Sequence, residues 1–300
     1  MIVPRLDLNP AYTFVDKAWS FDLGATSLYT VFDGNLGDYF SFSFANHWFA
    51  YQTSFEDVKN LYRNTWRCDD VNWVDWANVS LHLGQFSLTL GKDYIHFGTF
   101  ETDAYDFDSH AQLNTLFWNN YQVYQWGGSL NWTTPDEDSK VMLQVTTDQL
   151  MDRPFSSKSF DDYNITLFGF HDFGGVELMA SVSHCSLDWL GALGINVNFT
   201  DNLSMTMDSY ISKVYGGVNL KLTASLADGR CALFAKGGYE KGNTGLIIEG
   251  QGFYGGFGGY WYPLRDSQDL RIHALYSYDG VLNEMVMSAG ITYALNLKLF

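Results

Sequence analysis

From about residue 10 to the end, apolar and polar residues alternate with a period of two, in stretches of about ten residues. Phe40, Phe42 and Phe44 alternate with Ser41, Ser43, Ala45 and His47. Ala77, Val79, Leu81 and Leu83 alternate with Trp76, Asn78, Ser80 and His82. Tyr124, Trp126, Leu130 and Trp132 oppose Gln125, Gly127, Ser129 and Asn131, and Val141, Leu143 and Val145 oppose Lys140, Gln144 and Thr146. The same texture runs through Leu193–Phe199, Val218–Leu226, Leu270–Tyr278 and Met287–Leu299. Successive side chains of a strand point to opposite faces, so each stretch has one apolar and one polar face.

A soluble β-sandwich or solenoid also alternates. Two features favour a membrane barrel. The strands are long, about 9–11 residues or more, which is the length that crosses a bilayer when tilted. The polar faces are rich in Asn, Gln, Ser, Thr and Lys, and the apolar faces often end in Tyr or Trp, as for a wet lumen and an aromatic girdle. The pattern predicts an all-β fold: one domain over residues 1–300, a transmembrane antiparallel up-and-down β-barrel.

The connections set the strand number. Short ones are expected at Asp33–Gly37, Gly84–Gln85, Thr134–Ser139, Asp172–Gly175, Thr200–Asn202, Ala227–Arg230 and Arg265–Asp269. Between them fall long ones at 49–73, 97–119 and 150–162, and shorter ones near 185–188, 213–216, 240–243 and 279–284. Short turns on one rim and longer loops on the other are the outer-membrane pattern. Seven short turns give fourteen strands; a strand within residues 3–16 and a last one at 285–299 make sixteen. The exit of that first strand, Val15–Ser20, is short for an outer loop, so fourteen is the alternative.

Composition sharpens this. Aromatic residues make up 17% of the chain and charged residues also 17%, against the usual quarter for charge. Gly is frequent (28) and Pro scarce (5), which suits strands and tight turns. A net charge of -17 excludes a nucleic-acid binder, which needs Lys and Arg for the phosphates. No run of about 18 apolar residues is present to make a transmembrane helix. The opening MIVPRLDLNP does not read as a secretory signal. Cys68, Cys185 and Cys231 are odd in number and match no metal or redox spacing.

The stretch Trp73–Asp108, WVDWANVSLHLGQFSLTLGKDYIHFGTFETDAYDFD, resembles the hairpin of Gram-negative outer-membrane porins, general or Bacteroidetes-like. There, a strand, a tight turn and a strand with a Gly-Lys/Arg step lead into a long acidic loop. With sixteen strands, Ser87–Ile95 is the fifth, and 97–119 follows it where porins carry the loop that folds into the lumen. Tyr293–Phe300 resembles the aromatic-ended last strand of outer-membrane proteins, although Phe300 is out of phase with Leu295, Leu297 and Leu299. The resemblance implies a barrel in contact with outer-membrane lipid and lipopolysaccharide, passing small hydrophilic solutes, in some cases as a homotrimer.

The candidate chemistry is that of a pore. Glu101, Asp103, Asp106 and Asp108 would make an inward 97–119 loop an acidic constriction. Lys140, Lys221, Lys236 and Arg271 fall in the lumen phase and would supply positive charge from the wall. Charges at a constriction tune ion selectivity. A solvated outer loop and a Ca²⁺ site on Asp103, Asp106 and Asp108 are the alternatives. Ser54–Trp66 reads as a short helix on which Lys59, Arg63 and Arg67 recur every four residues. They would form a basic outer patch for anions, lipopolysaccharide or a neighbouring subunit. No metal spacing, nucleophile elbow, P-loop or dinucleotide fingerprint occurs, so neither enzyme nor cofactor is expected. The rival to a pore is a non-conducting barrel in a larger outer-membrane assembly, since Trp76, Tyr210 and Phe234 are bulky lumen-phase residues.

Overall fold

The computed structural model describes residues 1–22, 26–50, 74–101, 113–121, 124–148, 163–185, 187–244, 248–264 and 267–297. The first strands are β1 (Ile2–Thr13), β2 (Ala18–Asp22), β3 (Ser27–Leu36), β4 (Phe40–Ala50), β5 (Val74–Leu83) and β6 (Phe86–Tyr94). A short helix, α1 (Leu116–Asn120), precedes β7 (Tyr124–Thr133), β8 (Ser139–Thr147), β9 (Tyr163–Asp172), β10 (Val176–Cys185) and β11 (Asp188–Thr200). The chain continues through β12 (Leu203–Ile211), β13 (Tyr215–Leu226), β14 (Cys231–Thr244), β15 (Ile248–Trp261), β16 (Leu270–Asp279) and β17 (Glu284–Tyr293).

From β3 onward each strand pairs antiparallel with the next, and β1 closes the sheet on β17. On its other edge β1 carries β2 along Asn9–Thr13 and β3 along Ile2–Arg5. β2 and β3 are therefore one stave with an interruption, and the 17 strands make a closed barrel of sixteen staves. At the interruption Thr26 Oγ1 accepts from the Asp7 amide (2.9 Å) and donates to its carbonyl (3.2 Å), standing in for the missing ladder bonds. Closure leaves no sheet edge.

The alternation appears as an inversion of burial. On β8, Val141, Leu143 and Val145 are 45%, 48% and 41% exposed, whereas Met142, Gln144 and Thr146 are 1%, 2% and 3% exposed. The same holds around the ring: Leu6, Leu8, Val79, Leu167, Val182, Leu193, Leu220, Leu233, Phe257 and Ile291 face out, and Asp7, Asn164, Ser183, Asp208, Asn219 and Lys236 are buried inside. In water so large an exposed apolar surface would be a liability. Around a polar interior it is the outer face of a barrel that sits in lipid. No helix of the described residues is long and apolar enough to cross a membrane; the strands supply the crossing length.

The two rims differ as expected, with shifted bounds. β3 runs on to Leu36, so the first tight turn is 37–39 rather than Asp33–Gly37. β14 extends to Thr244 and β15 begins at Ile248, so 240–243 is strand rather than a connection. The first strand leaves through 14–17, a short turn on the rim that otherwise carries the longer loops. At Gly84 the two-residue turn needs φ of 64°, which glycine adopts without strain. Cys185 and Cys231 are free thiols. Cys68, the 54–66 segment and Phe300 lie outside the described residues.

Candidate functional site

The segment after β6, the fifth stave, runs along the inner wall. Its amides step from strand to strand. His96 N donates to Gln144 Oε1 on β8 (3.1 Å), Gly98 N to Ser181 Oγ on β10 (2.9 Å) and Phe100 N to Asp208 Oδ1 on β12 (2.8 Å). Leu116 N, at the start of α1, donates to Glu240 Oε2 on β14 (3.0 Å). Exposed backbone amides of an irregular segment must find acceptors when buried, and here the inward-facing polar side chains of the barrel provide them.

Close approach requires glycine at two of these steps. A Cβ on Gly98 would strike the backbone of Ala180 and Ser181, and one on Gly194 would meet Thr99 and Phe100. The chain thus lies directly on the strands of the wall.

Glu101 sits at the centre. Lys236 Nζ donates to its Oε1 (2.5 Å), and both side chains are almost fully buried. Thr115 N donates to Oε1 (2.6 Å), Thr115 Oγ1 to Oε2 (3.0 Å) and Tyr210 OH to Oε2 (2.9 Å). Tyr210 gives its one proton to Glu101, so it accepts from Trp118 Nε1 (2.5 Å), and Thr99 Oγ1 donates to it (2.8 Å). Thr115 also caps α1, accepting from Trp118 N (3.3 Å). Next to it, Glu240 accepts from Tyr215 OH (2.6 Å).

The register explains why a carboxylate belongs there. Lys221 and Lys236 pair directly across β13 and β14. Like charges opposite each other destabilise a sheet, and buried cations need hydrogen-bonded counter-charge. Glu101 from the loop, with Asp208 one inward position further along β12, supplies it.

Aromatic packing completes the seat. Phe117 is fully buried among Tyr121 (5.2 Å between ring centres), Tyr210 (5.1 Å) and Tyr215 (5.5 Å), and Phe97 packs on Phe117 (5.1 Å) and Trp118 (5.6 Å). Each such pair contributes about 0.5–1.5 kcal/mol beyond its burial. Further round, Leu113 joins Phe234, Tyr260 and Leu275. Tyr210 and Phe234 thus pack beneath the loop, and Trp76 donates from its indole to Ser43 Oγ (2.6 Å) on β4.

The structure brings Glu101, Lys221 and Lys236 together. Lys140 occupies the second position of β8, paired with Thr133 and Phe170. Arg271 belongs to a separate cluster on β16. Asp103, Asp106, Asp108, Lys59, Arg63 and Arg67 lie outside the described residues. Sequence reasoning missed Glu240 because 240–243 reads as a connection; its phase with Lys236 and Gly238 was the available signal. Asp208 reads only as the polar half of an alternation, and its bond to Phe100 crosses 108 residues.

No family model matches the sequence, and no curated protein does. Solved structures do match in fold. An anion-selective porin from Comamonas acidovorans superposes with a TM-score of 0.63 at 13% identity, over 98% of this chain and 99% of that one. The outer-membrane channel DcaP of Acinetobacter baumannii gives 0.63 at 11% identity, over 98% and 96%. A substituted form of the Rh. blastica porin gives 0.61 at 12% identity, over 98% and 99%. The chain has the fold of the bacterial outer-membrane porins.

Proposed function

We propose that the protein is a channel of a Gram-negative outer membrane, through which small hydrophilic solutes diffuse passively. The observation that carries this reading is the segment after the fifth stave, tied to a polar inner wall inside a barrel whose outer face is apolar. A loop held by the wall narrows a lumen in a fixed way, whereas a solvated outer loop would have no need of the buried Glu101–Lys236 pair.

In this reading Glu101 anchors the loop, and the acidic charge of the constriction falls to Asp103, Asp106 and Asp108. Lys140 and Arg271 supply positive charge from the wall, and Lys221 and Lys236 set the field beneath the loop. The net charge of -17 favours cations weakly, since these lumen bases oppose it. Lys59, Arg63 and Arg67 form an outer basic patch for lipopolysaccharide phosphates or for a neighbouring copy in a homotrimer.

Reconstituted into planar bilayers, the full chain is expected to give stable, ohmic single-channel steps. Silence in the bilayer, together with stoichiometric partners on purification, would replace the channel with a non-conducting barrel subunit of a larger assembly. Asp103→Asn with Asp106→Asn is expected to lower cation preference, read as a shift in reversal potential across a salt gradient.

A further inference from the structure

The charged groups of the inner wall are unevenly placed. Asp208, Lys221, Lys236 and Glu240 stand on β12, β13 and β14, and all four are buried. On β4–β7 the inner positions carry hydroxyls and amides instead. Among the described residues, Asp93 at the loop end of β6 is the only carboxylate or ammonium in inner phase on these four strands.

Two neighbouring rungs make up the middle of this lining. Ser41, Ser80, Thr89 and Ser129 pair in turn across β4, β5, β6 and β7. Two residues nearer the loop end, Ser43, Asn78, Gly91 and Gly127 do the same. Directly paired residues share a face. With strands about 4.8 Å apart and these rungs about 6.8 Å apart, the wall carries a regular grid of hydroxyl and amide groups. Ser41, Ser43, Asn78 and Ser80 are half-buried, whereas Asp208 and Glu240 are each 1% exposed, so the uncharged grid is the part that the lumen reaches.

The grid has hydrogen-bonding capacity to spare. Ser80 Oγ shares a hydrogen bond with Thr89 Oγ1 (2.8 Å), and Ser41 Oγ shares one with His82 Nε2 (2.8 Å). A hydroxyl has one donor and two acceptor positions, so one bond uses only part of each. At the edges of the grid, Thr146 Oγ1 (paired with Gly127) and Asn131 Oδ1 (paired with Ser87) find no partner among the described residues. The notch beside Gly91 and Gly127 is narrow, so the lining is a surface along which a solute slides, not a pocket that encloses it. Trp76, the next inner position of β5 toward the loop, adds an aromatic face. It is half-buried, and its indole donates to Ser43 Oγ (2.6 Å), which donates to Asp33 Oδ1 (2.5 Å). That relay holds the ring in one orientation. A sugar ring has apolar C–H faces and a rim of hydroxyls that both donate and accept, which suits an aromatic face beside rows of hydroxyls. An ion gains less, because an uncharged wall offers no counter-charge in exchange for its hydration.

We propose that the inner face of β4–β7 is a track for uncharged, polyhydroxylated solutes of the sugar class, with Asn78, Ser80 and Thr89 as its hydrogen-bonding rungs and Trp76 as its flat face. This names a solute class for the channel read above and rests on that reading. The track lies apart from the Glu101 cluster, so the two can be tested separately.

The test uses the full chain in lipid vesicles, with swelling rates in isosmotic glucose, glucosamine and gluconate as neutral, cationic and anionic probes of similar size. Glucose is expected to enter faster than either charged probe. A pore that selects by charge alone would instead pass one charged probe at least as fast as glucose, and that result would overturn the track. Asn78→Leu keeps the side-chain size and removes a rung; glucose entry should fall about threefold, the size of one neutral hydrogen bond, with salt conductance unchanged. Trp76→Leu widens the lumen, so a sieve acting on size alone would pass glucose faster, whereas loss of the flat face makes it slower. Faster or unchanged glucose entry in both variants would refute the track. The comparison of the three probes on the wild type needs no variant, so it stands even if a substitution prevents folding. Ohmic steps without a preference for glucose would refute the track and leave the channel. Absence of both ohmic steps and glucose entry would refute the channel itself.

Discussion

The inner wall has two halves that are built differently. Under the loop, from β8 to β16, the hydrogen bonds join residues far apart in sequence: Gly98 to Ser181, Phe100 to Asp208, Leu116 to Glu240, Lys236 to Glu101. Across β3, β4, β5 and β6 they join neighbours in adjacent strands: Ser43 to Asp33, Trp76 to Ser43, Ser41 to His82, Ser80 to Thr89. The first half is a buried core with charges in it. The second is mostly a ladder of polar groups, which the described loop residues touch at the end of β6, where Trp118 stacks on Tyr94. The same alternating strands therefore serve two purposes. One half holds a loop in place; the other is left to face water and solute.

The largest effect that would test this contrast is removal of the central carboxylate. Glu101→Gln leaves Lys236 as a buried cation without its counter-charge, which costs about 3–5 kcal/mol. The temperature at which the unboiled band is lost should fall sharply, and channel noise should rise as the loop loosens. Glu101→Gln with Lys236→Met should recover most of the loss. If the single variant behaves as wild type, Glu101 does not anchor the loop.

Next in size is a test of the outer face. Leu143→Arg places a cation in the lipid belt, at a cost of about 2–4 kcal/mol near mid-membrane. Refolding into lipid vesicles measures it. A neutral result would mean that β8 is turned the other way, with Gln144 outward, and both halves of the comparison would go with it.

Gly98→Ala is a smaller change with a local cause. The new methyl meets the backbone of Ala180 and Ser181, which cannot rotate away. Overpacking of this kind costs about 1–3 kcal/mol, and here it lifts the loop from the wall. Protease cleavage within the loop should become faster while the barrel stays folded. Unchanged cleavage would show that the loop is not seated by close backbone contact.

The smallest stability effect is expected on the open half. Ser41→Asp changes an exposed hydroxyl beside His82, and stability should stay within about 0.5 kcal/mol. The reversal potential should move toward cations. A large loss of stability would erase the distinction between the halves.

Much of the fold could be read from the chain because period two is a local property. Leu143 and Gln144 are assigned to opposite faces by nothing more than their neighbours, and the seven tight turns follow from Gly, Asn and Asp in fixed places. The sixteen staves, the fifth stave at β6 and the apolar outer face were all within reach of that reasoning. Turn bounds were less so. The alternation of Glu240 and Gly242 with Lys236 and Gly238 continues into what looks like a loop, because glycine and charge mark turns as well as lumen faces.

The chain by itself determined that there is a barrel, which face is apolar and roughly where the strands turn, because those depend on side-chain phase and local turn chemistry. Only the tertiary structure decided what its charged residues do. Glu101 reads as a free acid in an acidic loop, and the fold makes it the counter-ion of Lys236, 135 residues away. Arg271 reads as one lumen-phase base among four, and the closure of β1 on β17 puts it on one rung with Thr292 and Arg5. The register around a closed ring sets which side chains share a rung, and where a loop turns inward sets which of them it covers. No window of sequence contains either.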